Sequence, residues 1–141
     1  MPVEGNKALA HRFAEDVFNK RNLSLIDELV DANCVTHTTA GDFKGPAGFR
    51  QFVGPYLEAF PDVRETTEEG IAEGDRVMLR QTIAGTHQGG LMGIPPTGKK
   101  MKIQHMVVFR FARGKVAESW ALADLLGMMQ QLGLMPPMGQ K

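Results

Sequence analysis

The spacing of hydrophobic residues along the chain changes character near residue 60. From Asn6 to Asn19, Leu9, Phe13, Val17 and Phe18 recur at helical spacing, which marks one buried face. "LSLIDELV" (23–30) predicts a second, short helix, with Ser24 as N-cap and Asp27 and Glu28 early in its first turn. "CVTHTT" (34–39) is short and β-branched, and reads as a strand. "GPAGFRQFVGPYLEAFPD" gives a third helix with Pro46 in its first turn. Phe49, Phe52, Val53, Leu57 and Phe60 form its apolar stripe, Gly54-Pro55 should bend it and Pro61 stops it.

Beyond that point the pattern is that of a sheet. "VRETTEEGIAEG" is a polar, edge-like strand, and "EGD" (73–75) turns it into "RVMLRQTIAGTH". A Gly- and Pro-rich loop, "QGGLMGIPPTGKK", leads to "MKIQHMVVFRFA", which "RGK" joins to "KVAESWALAD" as a hairpin. "LLGMMQQLGL" is a closing helix, and residues 135–141 read as a loose tail. Helices followed by hairpin-linked strands predict an α+β fold, with helices covering one face of a curved antiparallel sheet. Closed in this way, the sheet makes a cone with a pocket inside.

Composition narrows the partners. At 141 residues the chain is expected to form one domain over 1–141, long enough to bury roughly two-thirds of its unfolded surface. Sixteen basic residues balance sixteen acidic ones without a lysine or arginine cluster, which argues against nucleic acid or an anionic membrane as partner. Cys34 is alone, so no internal disulfide or cysteine metal site is possible. No signal peptide is expected from the N-terminal residues, no run of 18 apolar residues occurs in the sequence, and the cytoplasm is the expected compartment.

Strand alternation then sorts the polar residues by face. Ile103, His105, Val107, Phe109 and Phe111 share a face that should point inward, with His105 its one polar member. Alternation in the next strand groups Val116, Glu118, Trp120, Leu122 and Asp124. Each strand of the hairpin thus places a candidate ionisable residue, His105 in one and Asp124 in the other, among large apolar ones. A carboxyl so placed should have a raised pKa and act as a base at neutral pH, and a nearby histidine could polarise a carbonyl. Asp124 also directly precedes "LLGMMQQLG", so an N-cap is an equal alternative there, while the local sequence favours a hydrogen-bonded core histidine at His105 and a core aromatic at Trp120. His37 and Asn33, four residues apart near a strand start, and His87 in "GTHQGG" are candidate pocket groups, while His11 reads as solvated. The histidines match no zinc spacing, and Ser119 and Thr86 lack a Gly-x-Ser-x-Gly elbow, so no metal is expected and nucleophilic hydrolysis is disfavoured.

Four segments, "AFPD" (59–62), "EGDRVMLRQTIAGTHQG" (73–89), "GIPPTGKK" (93–100) and "FRFARGKVAESWALADLLGMMQQLG" (109–133), resemble the SnoaL-like polyketide cyclases of the NTF2-like superfamily. The resemblance implies an α+β cone, assembly into dimers or larger oligomers, and an intramolecular aldol condensation on a polyketide ester without metal or organic cofactor. It implies that Asp124 is the general acid/base and that His105 polarises the substrate. The chain departs from the family pattern at Ile103, where a glutamine is expected; Gln104 points to the other face, which implies a smaller or different substrate.

The expectation is therefore a cofactor-free proton-transfer enzyme acting on an apolar carbonyl compound. Asp124 and His105 are its catalytic pair. Asn33, His37 and His87 are pocket polar groups, with Phe13, Phe49, Phe52, Trp120 and Met128 as walls. The rival reading is a non-catalytic binder or dimeric scaffold of the same fold. An epoxide hydrolase would need an Asp-Arg-Asp group, which no strand offers beside Asp124.

Overall fold

Helices and strands follow the predicted order in the computed structural model, which describes residues 3–136. Helix α1 (Val3–Ala14) runs into a π-helical turn (Glu15–Asn19), followed by α2 (Ser24–Leu29), β1 (Val30–Thr38), β2 (Gly41–Lys44) and α3 (Gly45–Ala59). The strands β3 (Arg64–Glu73), β4 (Arg76–Thr86), β5 (Lys100–Ala112) and β6 (Lys115–Ala123) come next, and α4 (Leu125–Gln131) closes the chain. The predicted tail lies mostly outside the described residues.

Three local expectations are corrected. Ser24 opens α2 rather than capping it; its Oγ donates to Asn22 Oδ1 at 2.6 Å, and the cap position falls to Leu23, which has no side-chain acceptor. β1 begins four residues before Cys34, and β2 had no signal, because "GDFK" is too short to show alternation. The sheet is not wholly antiparallel: its order is β2-β1-β6-β5-β4-β3, with β1 and β6 parallel. The connection from β1 to β6 spans most of the chain, so a parallel pairing costs no tight turn.

The helices cover one face of this curved, unclosed six-stranded sheet, as expected. Along β5 burial alternates strictly, with Met101, Ile103, His105, Val107, Phe109 and Phe111 turned toward the helices. Phe13 of α1 sits edge-on to Phe49 of α3 and Phe109 of β5, with centroids 5.2 and 5.6 Å away, and so ties both helices to the sheet. A second cluster, with Phe60, Leu91, Met101, Ile103, Met128 and Leu132, seats α4 at the other end. The β5–β6 hairpin turns through Arg113 and Gly114, both at positive φ, a geometry that suits the right-handed strand twist.

A β-bulge sets the face of β6. Arg110 pairs with Glu118 but Phe111 pairs with Val116, so Ala117 is an extra residue. After it the alternation shifts: Ser119, Ala121 and Ala123 pair with Phe109, Val107 and His105 and turn inward, whereas Glu118, Trp120 and Leu122 face outward. The predicted single face of Val116, Glu118, Trp120, Leu122 and Asp124 is thereby corrected.

Candidate active site

Between the helices and the inner face of the sheet lies an apolar cavity in two lobes. The outer lobe, about 70 Å³, is bounded by Thr38, Tyr56, Phe60, Ile103, Ala123, Leu125 and Met128. The inner lobe, about 20 Å³, lies among Phe13, Phe49, Val107, Phe109 and Ser119. Phe18, Phe52, Glu65, His105 and Ala121 line both, so the lobes meet at one carboxyl and one imidazole.

These two groups are joined through Gln81. Strand register puts His105 opposite Gln81 and Gln81 opposite Thr67, with Glu65 two residues along the same face of β3. Gln81 Nε2 donates to Glu65 Oε1 at 2.9 Å, and Gln81 Oε1 accepts from His105 Nδ1 at 2.8 Å. The amide's polarity therefore fixes the histidine tautomer: Nδ1 carries the hydrogen and Nε2 presents its lone pair. Burial holds the imidazole neutral and lowers its pKa to about 4. Burial also pushes Glu65 up to about 8, with the Gln81 hydrogen bond opposing and the Glu15 charge adding to the rise. Glu65 Oε2 is buried and has no hydrogen-bond partner.

Backbone contacts hold Glu65 in place. Asn19, at the end of the π-helical turn, accepts from Glu65 N–H and donates to Glu65 C=O, both at 2.8 Å. Its neighbour Phe18 lines both lobes, so one irregular turn shapes the cavity and clamps its carboxyl.

The structure divides the predicted site residues. His105, Phe13, Phe49, Phe52 and Met128 line the cavity. Asp124 does not: it is exposed at the rim, where its Oδ1 accepts from Gly127 N–H at 2.9 Å as the N-cap of α4. The apolar surroundings expected for it belong to its neighbours Ala123 and Leu125, which do line the outer lobe. Trp120 lies on the outer face, stacked on His37 and under Arg76, because the bulge reversed its strand. His37 is drawn to that face by Asp42 and Glu118, at 2.9 and 2.7 Å, which raise its pKa. Asn33 is exposed at the start of β1, its backbone N–H held by Asp31. His87 is fully buried but belongs to the loop: Thr97 N–H donates to its Nδ1 at 3.2 Å, and Phe60 packs on the ring. The expectation that these residues enter the pocket is corrected in each case by a local partner outside it.

Gln81 and Glu65 were missed. Gln81 was readable, since Val77, Leu79, Gln81 and Ile83 alternate inward as the β5 residues do. Glu65 was not, because β3 is polar on both faces and its sequence shows no alternation to orient it.

Helices over a curved sheet, enclosing an apolar cavity with a few buried polar groups, define a protein built around a small molecule. Residues 8–132 match the SnoaL-like polyketide cyclase family, and the chain belongs to it, as its motifs implied. It is 29% identical to the nogalonic acid methyl ester cyclase of Streptomyces nogalater over 119 residues, 82% of this chain and 89% of that one. It is 27% identical to the aklanonic acid methyl ester cyclase DauD of Streptomyces sp. strain C5, over 77% of this chain and 67% of that one. The crystal structure of AclR from Streptomyces galilaeus, a candidate hydroxylase, superposes with a TM-score of 0.87 at 29% identity, covering 99% of this chain and 87% of that chain.

Proposed function

We propose that this protein closes a ring by aldol-type addition within an apolar carbonyl or ester substrate, without metal or organic cofactor. The observation that carries the reading is His105: a buried, neutral imidazole with an uncommitted Nε2, at the junction of a cavity whose walls are mostly apolar. The relatives named as methyl ester cyclases support the substrate class.

Asp124 takes the α-proton at the mouth. Oδ1 is held by the cap but Oδ2 is free, and the residues on either side of it form the cavity wall. His105 cannot donate to a carbonyl from Nε2 in this tautomer, so its part differs from the polarising role the family resemblance implies. It accepts a hydrogen bond from an enol or hydroxyl of the substrate and fixes the reacting conformer. An apolar interior favours binding of the neutral substrate and keeps water from the enolate.

The test offers the two methyl esters named for the relatives, in chelator-treated buffer. A product of unchanged mass is expected, since ring closure only moves a proton and forms a C–C bond. Asp124→Asn should retain binding and lose at least about a hundredfold in kcat, the usual scale of acid–base catalysis. Full activity of that variant would remove Asp124 from the chemistry. Tight binding without turnover by the unaltered protein would favour the non-catalytic binder.

A further inference from the structure

Glu65 has no part in the scheme above, yet it is a buried carboxyl at the junction of the two lobes. It is 5% exposed, lines both lobes and leaves Oε2 without a partner. Among the described residues no cation pairs with it. The titratable groups around it are Glu15 from the π-helical turn, His105 from β5 and Tyr56 from α3, while β4 presents only the uncharged Gln81. None can neutralise a carboxylate there, and an unpaired buried ion is costly. The protonated acid suits the site: Oε1 accepts from Gln81, and Oε2–H is a donor for which the protein supplies no acceptor. On the same wall His105 Nε2 is an acceptor for which no described residue supplies a donor. Gln81 joins the two and sets both polarities.

We infer that Glu65 is the acid of the ring closure, giving its Oε2 proton to the carbonyl oxygen that becomes the new hydroxyl. This rests on the cyclase reading and deepens it. The pair of electrons from the α C–H bond forms the C–C bond to the accepting carbonyl carbon. The C=O π pair moves to oxygen, and that oxygen takes the Glu65 proton. The α-proton, held on Asp124, returns to Glu65 through solvent after product leaves, so both groups are restored and the product is an isomer of the substrate. The elevated pKa of Glu65 supports this, since it keeps the acid loaded at neutral pH.

The experiment pairs infrared spectroscopy with kinetics on the unaltered protein, Glu65→Gln and Glu65→Asp. A protonated-carboxyl C=O band at neutral pH is expected in the unaltered protein and should vanish in Glu65→Gln. Glutamine keeps the contact to Gln81 and an N–H donor toward the cavity but has no proton to give. It should lower kcat by at least about a hundredfold with KM little changed, and abolish the alkaline limb of the pH–rate profile. Glu65→Asp should recover part of kcat. A merely structural role would be served by glutamine, so an active Glu65→Gln overturns the inference, as does an ionised Glu65 at neutral pH. Failure of the unaltered protein to close the ring of either ester overturns the cyclase reading together with this role, and it is seen before any variant is made.

Discussion

Glu65 and His105 are shifted in opposite directions by the same burial, and the two shifts shape stability differently. In the fold Glu65 keeps its proton up to about pH 8, but the unfolded chain releases it near 4.5. The native state therefore binds more protons across that window, and stability falls as pH rises through it. His105 stays neutral in the fold down to about pH 4, whereas the unfolded imidazole takes a proton below 6.5, so stability falls as pH drops from 6.5 toward 4. Each slope is about 1.4 kcal/mol per pH unit. They cancel between roughly 4.5 and 6.5, which should be the range of greatest stability as far as this pair decides it. Urea denaturation from pH 4 to 9 checks this on the unaltered protein and Glu65→Gln. The variant should lose the decline above pH 6.5, and its acid decline should begin at pH 6.5 rather than 4.5, because nothing then cancels the His105 slope. Parallel curves above pH 6.5 would show that Glu65 is ionised in the fold.

Two short elements, α4 and the π-helical turn, position groups that the proposed chemistry uses. Helix α4 has only seven residues, and a helix so short depends on its cap. Asp124→Ala should cost about 1 kcal/mol, and Asp124→Asn almost nothing, because asparagine caps equally well. Thermal melts of the two variants thus separate the cap from the proton transfer, which asparagine cannot perform. At the other end, Asn19 is the clamp on Glu65. Asn19→Ala leaves a part-buried N–H and C=O of β3 without these partners, at a cost of about 1–3 kcal/mol by chemical denaturation. It should also lower kcat more than it raises KM, because it loosens the acid rather than the walls. A change in stability without a change in kcat would reduce Asn19 to a structural tie. These same elements mark where the sequence stopped being legible. Period-two alternation placed β5 and His105 correctly because every inward position there is apolar or histidine. Alternation misplaced Trp120, because an inserted Ala117 leaves no trace in composition while reversing every later side chain. The helical period carried Phe13, Phe49 and Phe52 to the cavity. It could not show that the first helix widens at Glu15, which brings Asn19 to β3. The alternative of an N-cap, present in the local sequence at Asp124, is the one the structure shows for its side chain.

At the scale of the molecule, cavity size limits how a substrate enters. Ligand sites occupy roughly 300–1,000 Å³, far above the 70 and 20 Å³ of the two lobes. The proposed ester substrate therefore needs the walls to yield, and the soft part of the wall is the outer lobe. Met101 and Met128 are flexible side chains there, and α4 is a short helix seated on β5. The junction at Ala121 is the rigid part, since Ala121 lies on a central strand, is paired with Val107 and lines both lobes. Opposite substitutions at these places should have opposite effects. Met128→Ala removes a fully buried side chain and should cost about 2–5 kcal/mol, but it enlarges the outer lobe and should lower KM for the esters. Ala121→Leu adds three carbons at the narrow junction, so it should cost about 1–3 kcal/mol by overpacking while leaving the protein folded. The same carbons separate the lobes at Glu65 and His105, so turnover and ligand-induced stabilisation should both disappear. Thermal shifts with and without ester, read beside initial rates, test both variants. Undiminished turnover in Ala121→Leu would mean that substrate never reaches the junction and that the reaction takes place at the rim alone.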